Sequence, residues 1–117
     1  MTVHTSIPAS YVAGSVTIAA GVVANLLDLI QQQLTPNCPG SATELTIWAD
    51  AGNSGSITVG AANTLNGPLS ASNYAYRLTP TGQPRVYRST FPGNSTPLGE
   101  LQVLATNQAI LHVEVQA

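Results

Sequence analysis

Lysine is absent from this chain, and charge of either sign is scarce. Three arginines and five acidic residues are all that 117 positions carry, 7% where an ordinary domain has about 25%. A net charge of −2 gives no general attraction to nucleic acid or to an acidic membrane surface. It also leaves little repulsion between copies, which suits a protein that works in an assembly. Cys38 is the single cysteine, so no disulfide forms within the chain. Its setting, Asn37-Cys38-Pro39-Gly40, reads as a turn holding a free, buried thiol. Long apolar runs are missing too. The most apolar stretch, Val12 to Ile30, is interrupted by Gly14, Ser15, Thr17, Gly21, Asn25 and Asp28, a poor membrane span. The first residues lack the basic start and apolar core of a secretory signal, so synthesis in a cytoplasm is expected. With 44% apolar residues and few charges, the composition is the opposite of a disordered chain.

Recognisable catalytic and metal patterns are equally scarce. His4 and His112 stand far apart, and neither shares a ligand spacing with Cys38. Asp50-Ala51-Gly52-Asn53-Ser54-Gly55 begins like a calcium loop, but Ala61 occupies the twelfth place, where a carboxylate is needed. The same stretch fails as a nucleophile elbow, because Ser56 stands where the second glycine belongs. Glu44 and Asp50 lie on one face of a strand but about 20 Å apart, too far to share a glycosidic bond. No phosphate-cradling glycine loop is present. Asn94-Ser95-Thr96 matches a glycosylation acceptor without a signal to deliver it. The expectation is a protein that is not an enzyme, with no catalytic residue, no metal site and no cofactor.

What the sequence does contain is short stretches of period two. The central one is Leu45 to Gly60, where Leu45, Ile47 and Ala49 alternate with Thr46, Trp48 and Asp50 before a turn-rich cluster and a second run, Ile57 to Gly60. Two such runs about a turn predict a hairpin. Tyr11 to Ala20 is a further strand, with Gly14 marking a bulge or a close approach of another backbone. Tyr74 to Leu78 and Arg85 to Thr90 are short strands on either side of a Thr79-Pro80-Thr81-Gly82 turn. Leu98 to Thr106 and Ala109 to Ala117 predict a last hairpin, with Leu101, Val103, Ala105, Leu111, Val113 and Val115 inward and His112, Glu114 and Gln116 outward. Between strands the period changes once: Val23, Leu26, Leu27, Ile30 and Leu34 predict a helix over 25–34, capped by Asn25 and ended by Thr35-Pro36. Residues 61–73 form a long Asn/Gly/Ser/Pro loop. The class is all-β: a jelly-roll-like β-sandwich of about seven or eight strands with one short inserted helix. An N-terminal arm, 1–10, precedes a single domain, 11–117.

The succession "VVANLLDLI", "ELTIWADAGNSGSITVG", a polar loop, "YRLTPTGQP" and "PLGELQVLATNQAILHVEV" resembles small virion proteins of tailed bacteriophages, above all the jelly-roll head decoration, or cement, proteins. The likeness runs from about Val12 to Val115. It implies a homotrimer on the outer capsid surface that contacts the major capsid protein and locks the shell. The resemblance carries over no individual functional residue. From residue chemistry, the interface candidates are Thr2, Val3, His4 and Ile7 in the arm, and Trp48, Tyr74, Tyr76, Arg77, Tyr87 and Arg88 as a stacking patch of the residue types that anchor interfaces. A different class of function, a carbohydrate-binding or adhesin module, is motivated by the 61–73 loop and the same aromatic group. The plainer reading of the tyrosines and Trp48 is half-buried shielding of sheet edges.

Overall fold

The computed structural model describes residues 11–61, 65–88 and 95–117. The expected arm and Phe91 therefore lie outside the described residues. Among the described residues ten strands and one α-helix follow in the order β1 (Tyr11–Ile18), β2 (Ala24–Asn25), α1 (Leu26–Gln33), β3 (Ser41–Ala42), β4 (Glu44–Ala49), β5 (Ile57–Ala61), β6 (Tyr76–Leu78), β7 (Arg85–Arg88), β8 (Thr96–Pro97), β9 (Leu101–Ala105) and β10 (Ala109–Gln116). A 3-10 turn, Leu98–Glu100, leads into β9.

Two four-stranded antiparallel sheets form the body. One, sheet A, has the order β1-β10-β4-β7; the other, sheet B, has the order β2-β9-β5-β6. Leaving aside the small β3-β8 ribbon, the eight remaining strands pair first with last, second with seventh, third with sixth and fourth with fifth. That is a long hairpin folded over on itself and rolled into two sheets, the jelly-roll-like arrangement.

The topology corrects both predicted hairpins. β4 belongs to sheet A and β5 to sheet B, so the Asp50–Ser56 turn does not reverse the chain within one sheet but carries it from one sheet to the other. The same holds for β9 and β10 across Thr106-Asn107-Gln108. Both strands of each pair turn an apolar face to the common core, which the alternation specifies, but an alternating pattern does not state which neighbour each strand bonds. Among the described strands of the two sheets, the one consecutive pair that stays within a sheet is β5 and β6, and the long loop joins them.

The core is the expected set. Leu45, Ile47, Ile57, Val59, Leu101, Val103, Leu111, Val113 and Val115 are buried between the sheets. Asn25 caps α1, its side-chain oxygen accepting the Asp28 N–H at 3.2 Å. Leu26 and Ile30 seat the helix in the core, whereas Val23 is exposed and lies outside the helical face proposed for it. Gln33, expected on the exposed side, has a further role. Its amide accepts the Thr17 N–H at 2.7 Å and donates to the Thr17 carbonyl at 2.9 Å, blunting the free edge of β1. Gly14 meets a side chain and not another backbone: a Cβ there would stand 2.8 Å from Leu34. Cys38 is buried against the core as a free thiol, and burial pushes its pKa up.

The two outer faces differ. On sheet B the Leu65–Asn73 segment covers the strands: Leu65 lies over Gly60, Leu69 is buried, and Thr58, an outward position of a central strand, is only 5% exposed. The Thr58 hydroxyl donates to the Leu104 carbonyl at 3.3 Å. Among the described residues nothing lies across the outer face of sheet A in the same way.

Candidate functional site

The strand register arranges the outer face of sheet A in rows. Tyr11, Gln116, Glu44 and Arg88 form one; Ala13, Glu114, Thr46 and Val86 the next; Ser15, His112 and Trp48 the third; Thr17 and Ile110 the last. Tyr11 is 57% exposed, Ile110 39% and Val86 37%. Arg88 meets Glu44 at 3.3 Å, an exposed pair that contributes little to stability.

The third row holds the most organised cluster. Trp48 and His112 are direct cross-strand neighbours, and their rings stack with centroids 5.2 Å apart and planes 20° from parallel. His112 Nε2 lies 2.8 Å from Asp50 Oδ1, and Asp50 Oδ2 accepts the Gly52 N–H at 2.9 Å. The His112 hydrogen bond, then the Gly52 N–H, holds the Asp50 carboxyl below its ordinary value of 3.8. Asn53 completes the turn: its amide donates to the Ile110 carbonyl and accepts the Ile110 N–H, both at 2.9 Å, as an added strand residue would. The stretch first read as a possible calcium or nucleophile loop is thus an Asx-type turn stitched to β10.

Beside this cluster lies an open depression of about 340 Å³, bounded by Trp48, Asp50 and His112 on one side and by Pro80, Gly82 and Pro84 on the other. The Thr79–Gly82 turn that forms its far wall is closed by the expected Gly82 N–H to Thr79 carbonyl bond at 3.1 Å. A larger cleft of about 420 Å³, between Val23, Gln102 and the Leu65–Leu69 segment, presents no ionisable or nucleophilic side chain.

The Asp50–His112 pair was not foreseen, and register sets Ser15 next to it. A serine, a histidine and a carboxylate in a row invite an acyl-transfer reading. Ser15 makes no hydrogen bond to His112, and His112 is engaged by Trp48 and Asp50. The trio lacks the nucleophile–base contact that activates a serine. No three His, Cys, Asp or Glu side chains come together among the described residues.

The predicted aromatic and arginine patch does not assemble as one surface. Trp48 and Arg88 are on the outer face of sheet A. Arg77 lies over Tyr74, 5.2 Å from its ring centre, at the outer side of sheet B. Tyr76 and Tyr87 point inward from the edge strands of the two sheets and pack on the core; Arg85 sits between them, 5.1 and 4.9 Å from their rings. These last three close the side of the sandwich, the shielding role expected of half-buried tyrosines. Thr2, Val3, His4 and Ile7 lie outside the described residues.

No family model, curated protein or solved structure matches this chain.

Proposed function

We propose that this chain is a non-catalytic structural component of a virion, a decoration protein that binds the outer surface of a tailed-phage head and stabilises the shell. The observation that carries the reading is the asymmetry of the sandwich. One sheet has its outer face covered by the protein's own chain, while no described segment lies across the other, where Tyr11, Val86 and Ile110 are exposed around a half-buried tryptophan. Aromatic and large apolar groups exposed on a rigid sheet suit docking on a preformed surface. A homotrimer made in the host cytoplasm and seated on the major capsid protein fits this role, since modest affinity per copy multiplies over linked copies. Lone membership of a sheet edge or core accounts for Tyr76, Tyr87 and Arg85, which leaves them out of the docking set.

For a carbohydrate module, the Leu65–Asn73 segment and Trp48 would have to act separately, because they stand on opposite sheets. The deciding experiment mixes the purified protein with heads assembled without it and images them. Added density at symmetry-related capsid sites is expected, together with a solution mass about three times the 12.0 kDa of one chain. Heads that stay bare overturn the proposal.

A further inference from the structure

All eight charged residues lie in the described part of the chain, and their placement is uneven. Glu44, Asp50 and Glu114 stand on the outer face of sheet A against one cation, Arg88. Elsewhere Asp28 and Glu100 are matched by Arg77 and Arg85. The entire formal net charge of −2 therefore sits on the broad face that no other described segment covers. Glu44 faces Arg88, and Asp50 is held ionised by His112 and the Gly52 N–H, whereas Glu114 has no charged partner among the described residues.

We infer that this face docks a basic surface of a partner protein, and that the depression beside Trp48 receives one of its arginine or lysine side chains. The inference deepens the head-binding reading and rests on it for the partner's identity. An indole is the best aromatic platform for a cation, and the contact strengthens as water is excluded. Trp48 is kept in place from behind by the His112 ring, so little side-chain freedom is lost on binding. Asp50 sits on the same depression with its negative charge secured, and both of its oxygens are already oriented. Glu114 and Glu44 extend the negative field along the sheet. A second copy docked through the same face would set like charge against like, so an isologous pairing of these faces is disfavoured. Nucleic acid and acidic lipid are repelled for the same reason. A sugar would use the tryptophan but has no use for a charge excess spread over the whole face.

Trp48 is the only tryptophan, so its fluorescence reports this site alone. Hexa-arginine titrated into the full-length protein should change the emission saturably, with the response weakened at least tenfold between 20 mM and 500 mM salt, on the order of several screened ion contacts. Asp50→Asn and Glu114→Gln should each weaken it several-fold, while Gln102→Ala, on the opposite sheet, should leave it unchanged. On undecorated heads Trp48→Ala should cost at least tenfold in affinity with its circular dichroism unaltered. Emission that ignores hexa-arginine, that responds to methyl glycosides in its place, or a Trp48→Ala variant that decorates heads like the parent, overturns the inference. If the parent protein leaves heads bare while hexa-arginine still binds at Trp48, the head-binding reading falls and the cation site stands.

Discussion

The Asp50 carboxylate shows how much one side chain can organise. It receives His112 on one oxygen and a backbone N–H on the other, and it thereby sets the stacking partner of Trp48. Because its folded pKa lies below the unfolded value of 3.8, its contribution to stability is complete above that value and is lost as pH falls through the depressed folded one. Carboxyl-carbon NMR should find the Asp50 midpoint below 3.8, and His112→Ala should move it upward, since that hydrogen bond is the largest cause of the shift. Asn53 acts two residues away on the same strand. Asn53→Ala removes two 2.9 Å bonds to the Ile110 backbone and should cost about 1–2 kcal/mol in urea unfolding, the net worth of two solvent-accessible hydrogen bonds. Neither role was legible in the sequence. Alternation correctly turned Trp48 and His112 outward, but their adjacency depends on β4 pairing with β10, sixty-odd residues away, and no local signal encodes that pairing.

At the level of elements, local chemistry was a better guide. Asn25, Asp28 and Thr35-Pro36 bracket α1 as expected, because capping and proline sterics act within a few residues. The alternating runs gave the inward faces of β4, β5, β9 and β10, because burial on one side imposes period two whatever the partner strand. The two supposed hairpins failed for the complementary reason: in a sandwich, consecutive strands share a core without sharing a sheet. The edge strands β6 and β7 are held differently again. Neither is long, and Arg85 joins them by lying between Tyr76 of one sheet and Tyr87 of the other. Arg85→Ala should lower stability by about 1–2 kcal/mol, two exposed cation–π contacts of about 0.5–1 kcal/mol each. Arg85→Lys should recover only part of it, because lysine loses the planar stacking. Denaturant midpoints of the three proteins give the comparison. The same substitution should leave head binding unchanged, since Arg85 is not on the uncovered face.

For the molecule as a whole, the uneven coverage of its two sheets separates structural duties from docking. The Leu65–Asn73 segment covers part of sheet B, while the charge excess lies on the outer face of sheet A. The rolled topology has a different consequence, in time. β10 follows every other strand in the chain yet lies inside sheet A, bonded on one side to β1 and on the other to β4. Until it has emerged from the ribosome, β1 lacks its strand partner and β4 is bonded only to β7, so sheet A is incomplete and the core between the sheets stays open. Completion of the fold thus waits for β10, is limited by the closure of long loops, and is expected on the millisecond-to-second scale of all-β domains in stopped-flow refolding. A nascent chain stalled before Ala109 should remain protease-sensitive throughout, and one that has released Gln116 should become resistant in a single step. With no lysine and few charges to hold such chains apart, the interval before β10 arrives is when this protein is most prone to associate wrongly.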